Sequence, residues 1–175
     1  MTTSGRIELM APAGNFESMQ AALDNGCDSI YFGVEQLNMR ARATVNFVLE
    51  DLPEIARRCN EKNVRTYLTL NTIIYDHDLS IVKTLITKAK EAGITAVIAS
   101  DQAVIMTART AGMEVHISTQ LNVTNIETVK FYAMFADTIV LSRELSLRQV
   151  KKITDDIEKE QMFSSMSMCI IISSN

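Results

Sequence analysis

His116 is one of two histidines, and it stands inside an apolar run, Val115-His116-Ile117. An imidazole there is either a satisfied residue of the sheet interior or a general acid or base working near about pH 7. Glu8 interrupts another apolar run. A buried carboxylate is costly unless paired, so Glu8 either points to solvent or has a partner such as an arginine. The pair Arg143-Glu144 falls at the end of an apolar segment. It either positions substrate or forms a solvated turn. Glu8, His116 and Glu144 are therefore the candidate catalytic groups. His77, in Tyr75-Asp76-His77-Asp78, reads as an exposed loop residue.

A second set of polar residues collects where apolar segments end. Asn38, Arg40, Arg42 and Asn46 follow the second such segment, and Asn71 follows the third. Ser100 and Asp101 follow the fourth. Ser118, Thr119, Gln120 and Asn122 follow the fifth, and Arg143 and Glu144 the sixth. Two guanidiniums such as Arg40 and Arg42 hold a carboxylate or phosphate through paired, charge-assisted hydrogen bonds, provided the backbone is extended. The competing reading is a solvated loop with ion pairs to Glu35 or Glu50. The substrate-binding candidates are Asn38, Arg40, Arg42, Asn46, Asn71, Ser118, Gln120, Asn122 and Arg143, and the expected ligand is anionic, with a carboxylate or phosphate.

Several chemistries lack their usual signatures. Ser118 and His116 are two apart, yet no nucleophile elbow surrounds them. Cys27 precedes Asp28, which raises a thiol pKa rather than lowering it. Cys27, Cys59 and Cys169 form no CxxC pair and no Cys/His cluster, so no metal site is expected in this chain. The glycine fingerprint of dinucleotide binding and the P-loop are missing too.

These residues need elements to hold them. Arg6–Met10 is a short apolar run before the breaker cluster Ala11-Pro12-Ala13-Gly14. Asn15 then caps a helix that Gly26 closes. Ser29–Phe32 reads as a strand, Glu50–Asn63 as a helix and Val64–Leu70 as a strand. Leu79–Ala92 follows as a helix, with Leu79, Val82, Leu85, Ile86 and Ala89 on one face. Thr95–Ala99, Met113–Ile117 and Thr138–Leu141 read as strands. Gln102–Ala111, Asn125–Phe135 and a segment from Ser146 to about Lys159 read as helices. Apolar strands spaced by helices imply a parallel sheet covered by helices. A weak repeat supports this reading: Gly26-Cys27-Asp28, Gly93-Ile94-Thr95 and Phe135-Ala136-Asp137 each lead from a helix into a strand.

The chain has 175 residues, 47% of them hydrophobic and 22% charged, with a net charge of −4. That suits one domain, 1–175, rather than a disordered chain. It gives no general electrostatic case for nucleic acid. No apolar run approaches a membrane span, and the polar start from Met1 to Gly5 is unlike a signal peptide, so a cytoplasmic protein is expected. Length alone favours a doubly wound sheet over a (β/α)₈ barrel, which takes about 250 residues.

Five ordered segments then carry a family resemblance. Glu8-Leu9-Met10-Ala11-Pro12-Ala13-Gly14-Asn15-Phe16 is similar to the opening of the peptidase U32 family, the collagenase-like proteases. Ala22–Gly33 continues the match, with Cys27 in place of the usual small residue. Leu37-Asn38-Met39-Arg40-Ala41-Arg42-Ala43 with Asn46-Phe47 resembles that family's arginine loop. His116–Asn125 and Leu141–Ser146 resemble two further hallmarks.

The resemblance implies a TIM-barrel-like fold, reversing the preference set by length. Six βα units, with Met168–Ile172 as a seventh strand, make an incomplete barrel. It implies a protease, with a peptide or another anionic substrate as the expected partner. It also implies an alternative, because other family members act in hydroxylation of tRNA or ribosomal RNA bases or of ubiquinone. Those members resemble iron–sulfur proteins, with cysteine ligands largely beyond the matched region. Nucleic acid is an expected partner only under that alternative. Residues 161–175 depart from the family pattern as an atypical or truncated tail, and one thiol, Cys169, cannot hold a cluster. No cofactor is therefore expected in this chain, although full-length relatives could carry the cluster. A third reading is a non-catalytic ligand-binding fragment. Open sheet edges predict a homo-oligomer.

Overall fold

The computed structural model describes residues 7–34, 47–160 and 167–169, and the side chains of 158–160 and 167–169 are not among the features described. Seven strands form one parallel sheet: β1 Met10–Pro12, β2 Ser29–Phe32, β3 Arg65–Leu70, β4 Ala96–Ala99, β5 Glu114–Ile117, β6 Thr138–Val140 and β7 Ser167–Cys169. The helices between them are α1 Phe16–Asp24, α2 Leu52–Glu61, α3 Leu79–Ala92, α4 Gln102–Ala111, α5 Ile126–Ala133 and α6 Leu147–Glu160.

The sheet order is β1-β2-β3-β4-β5-β6-β7, the order of the chain itself. A doubly wound sheet reverses its order at a switch point. None occurs here, so the winding is that of a barrel. The seven described strands form an incomplete TIM-barrel-like fold.

Local chemistry explains the elements. Asn15 Oδ1 accepts from Ser18 N at 2.7 Å and the Ser18 hydroxyl accepts from Asn15 N at 3.1 Å, a reciprocal cap that starts α1. Gly93 and Gly112, at φ +83° and +71°, end α3 and α4 in the left-handed region. The chain then turns directly into β4 and β5.

The three-fold repeat has a physical cause. Asp28 N donates to Leu9 O at 2.9 Å, while Asp28 Oδ2 accepts from Leu9 N at 2.8 Å. Thr95 does the same with Thr66, at 3.1 Å for each bond. Asp137 does it with Val115, at 2.9 Å for each. In each case the residue before a strand clamps the start of the preceding strand.

Side chains alternate across the sheet. Ile30, Phe32, Leu68, Leu70, Val97, Val115, Ile117 and Ile139 face the helices and form the main core. They pack on Met19 and Leu23 of α1, on Leu52, Ile55, Ala56 and Cys59 of α2, and on Val82, Leu85, Ile86 and Ala89 of α3. A smaller cluster of Tyr67, Ala96 and Ile98, with Met10 and Tyr31 against it, lies on the inner face.

Two expectations are corrected. The first strand is Met10–Pro12 rather than Arg6–Met10. Pro12 reads as a breaker, yet β1 lies at one end of the sheet order, where a missing N–H is tolerated. Leu79 does not join the buried stripe of α3, because it opens the helix and is 36% exposed.

Candidate functional site on the inner face of the sheet

In β3 and β5 the residues that alternate with the core positions are polar. Arg65, Tyr67 and Thr69 alternate with Leu68 and Leu70, and Glu114 and His116 alternate with Val115 and Ile117. The register sets Tyr67 beside Ala96 and Ala96 beside Glu114, so both polar sets share the inner face.

There they form one chain of contacts. The Tyr67 hydroxyl donates to Glu8 Oε1 at 2.7 Å. The Arg65 guanidinium lies 5.2 Å from the Tyr67 ring centroid and 3.8 Å from Glu8 Oε2. One Arg65 nitrogen donates to both carboxylate oxygens of Glu114, each at 2.8 Å. Glu114 Oε1 in turn meets His116 Nε2 at 2.8 Å. The Tyr67 and His116 rings pack with centroids 4.6 Å apart.

The electrostatics follow from these contacts. The His116 hydrogen bond, with Arg65 behind it, holds the Glu114 carboxyl below the usual glutamate range against the opposing effect of burial. Burial, reinforced by the bond to Glu8, pushes the Tyr67 phenol up. Burial is the largest single influence on the Arg65 guanidinium and would lower it, but the Glu114 hydrogen bond and the charges of Tyr67, Glu114 and Glu8 together outweigh burial and raise the group. His116 is buried, with 5% of its surface exposed.

The predicted catalytic residues are thus divided. Glu8 and His116 belong to one network through Tyr67, Arg65 and Glu114. Glu8 precedes β1 rather than interrupting a strand. Glu144 lies at the other end of the sheet, in the turn after β6, where it is exposed and accepts from the Ser142 hydroxyl. That bond, a backbone N–H and the nearby Arg143 lower its pKa.

The other rim residues make local bonds. Ser118 is buried, and its hydroxyl accepts from Gln120 N at 3.4 Å. Asn122 takes a left-handed conformation at φ 49°. Ser142 N donates to Val123 O at 3.0 Å, which ties the turn after β6 to the segment after β5. Gln120, Asn122 and Arg143 are exposed, and Asn71 is half-buried after β3. Asn38, Arg40, Arg42 and Asn46 lie outside the described residues.

Sequence reasoning missed Arg65, Tyr67 and Glu114. The available signal was their parity, since each occupies the non-core position of an otherwise apolar strand.

The two described thiols do not suit cluster ligation. Cys27 and Cys59 are buried in the main core. Burial, with Asp28 nearby, pushes Cys27 up. Burial, with Cys27 nearby, pushes Cys59 up to about 11. A cluster takes thiolates, and this apolar setting favours thiols. Among the described residues no three His, Cys, Asp or Glu side chains gather as a metal site. No helix among them is long and apolar enough to cross a membrane.

Comparison with known proteins gives these features a context. A collagenase of Porphyromonas gingivalis is 46% identical over 179 residues, covering 95% of this chain and 43% of its own length. The tRNA hydroxylation protein P of Helicobacter pylori is 33% identical over 174 residues, covering 96% of this chain and 41% of its own length. The chain thus spans about two fifths of the length of these curated relatives. The solved U32 peptidase Mk0906 superposes with a TM-score of 0.73 at 14% identity, covering 99% of this chain and 72% of that one, a likeness of fold. The family model for peptidase family U32 matches residues 14–175, and the chain belongs to that family.

Proposed function

We propose that this chain is the barrel portion of a collagenase-type peptidase that hydrolyses peptide bonds, with His116 as its proton acceptor. The observation that carries this reading is the 46% identity to the Porphyromonas gingivalis collagenase across 95% of the chain. Hydrolysis needs a group that takes a proton from the attacking water. An imidazole ordered by a carboxylate suits that role, and His116 has Glu114 at 2.8 Å. Glu8 then acts through Tyr67 rather than on the substrate. Asn71, Ser118, Gln120, Asn122 and Arg143 offer amides, a hydroxyl and a cation for a peptide main chain, and Glu144 offers an acceptor.

The test is incubation of the purified protein with gelatin, reading new α-amino groups and fragment masses. Cleavage by the wild type and its loss in His116→Gln are expected. Absence of new amino groups from the wild type refutes the proposal.

A second reading is hydroxylation of an RNA base, and the 33% identity to a tRNA hydroxylation protein over 96% of the chain favours it. Nucleoside mass spectrometry of tRNA and ribosomal RNA from cells lacking the gene separates the two. Loss of a hydroxylated nucleoside, with gelatin left intact by the protein, selects the second.

A further inference from the structure

We propose that Glu114 fixes neutral His116 as the Nε2–H tautomer and so presents Nδ1 as a hydrogen-bond and proton acceptor to a neutral O–H or N–H donor on the inner face of the sheet. This deepens the role given to His116 above, and the tautomer is measurable without any turnover.

The bond between His116 Nε2 and Glu114 Oε1 is 2.8 Å long. An ionised carboxylate only accepts, so the imidazole must supply the proton. Arg65 keeps Glu114 in that acceptor state by donating to both of its oxygens at 2.8 Å. Neutral imidazole carries one N–H, so its second nitrogen is left with a lone pair. Turning the ring over would forfeit the bond to Glu114. Tyr67 packs against the ring at 4.6 Å and is itself held by Glu8 at 2.7 Å. Among the described residues the hydrogen-bond partner of the buried His116 ring is Glu114, on Nε2.

The charged groups around the imidazole set the ligand class. Among the described residues Glu8 and Glu114 contribute two negative charges and Arg65 one positive. The balance opposes an anion and suits a neutral donor, such as water or an amide. When water is the donor, one O–H bond breaks and its electron pair stays on oxygen. The proton joins Nδ1, and the imidazolium charge faces Glu114. Glu114 and Arg65 are positioning residues in this arrangement.

The experiment is a long-range proton–nitrogen correlation spectrum of protein labelled with ¹⁵N-histidine, at about pH 8.5, well above the ordinary imidazole value of about 6.5. The chain has two histidines, so His116→Gln assigns the signals, and exposed His77 serves as the internal reference. The wild type is expected to show His116 as a single Nε2–H tautomer with widely separated nitrogen shifts. In Glu114→Gln that separation should shrink towards the His77 pattern, because an amide both donates and accepts. A wild-type spectrum with the proton on Nδ1 overturns the proposal. Unchanged shifts in a folded Glu114→Gln protein also overturn it. If that variant fails to fold, the wild-type spectrum alone decides.

Discussion

Replacing Arg65 with alanine should uncouple the inner-face network, and its cost follows from the contacts removed. Arg65 donates to both oxygens of Glu114 at 2.8 Å and lies 5.2 Å from the Tyr67 ring. A hydrogen bond to a charged group contributes about 1.5–3 kcal/mol net. The Arg65 side chain is 42% exposed, so solvent screening moves the value to the lower end. The cation–π contact adds roughly 0.5 kcal/mol. Arg65→Ala should therefore cost about 2 kcal/mol. With a urea m-value of about 2 kcal/mol/M, the unfolding midpoint should fall by about 1 M. A double-mutant cycle with Glu114→Gln isolates the pair, and a coupling of about 1 kcal/mol is expected. A midpoint within about 0.2 M of the wild type, or a coupling near zero, would refute the claim that these residues act as one unit.

Other outcomes follow from the same structure. Because His116 and Arg65 hold the Glu114 carboxyl below its ordinary value of 4.5, its stabilisation is present above that pH and fades as pH falls below it. The wild type should then lose more stability than Glu114→Gln between neutral pH and about pH 3, followed by urea midpoints. Cys59 is raised from 9.0 to about 11, so the unfolded thiol ionises first and stability is lost as pH climbs through that window, by roughly 2 kcal/mol. Cys59→Ala should flatten the alkaline limb of the stability curve, and an equally steep limb would contradict the burial argument. Thr95→Val removes the hydroxyl that bonds Thr66 N, and should lower stability by about 1–2 kcal/mol in the same assay.

Where the sequence pattern was strong, it was legible. The bounds read for α3, α4 and β2 coincide with those observed, because apolar positions recur at fixed spacing and Gly93 and Gly112 stop their helices. The internal repeat was also visible, although its meaning was not. Asp28, Thr95 and Asp137 recur because each clamps the preceding strand through its backbone. Pro12 misled the reading of β1, since a breaker inside a chain is tolerated at the end of a sheet. His116 and Glu8 stood out as polar residues in apolar runs. Their partners did not, because the bonds span 59 residues from Glu8 to Tyr67 and 49 from Arg65 to Glu114. Such pairings depend on strand register, which one strand read alone does not contain.

We propose His116, ordered by Glu114, as the working base of a peptidase. The most direct measurement is kcat/KM on a gelatin-derived peptide for the wild type and for His116→Gln, with folding checked by circular dichroism. General-base catalysis contributes about 10²–10⁴-fold, so a loss of at least about 100-fold is expected. A folded His116→Gln protein with kcat/KM within about twofold of the wild type would contradict the account.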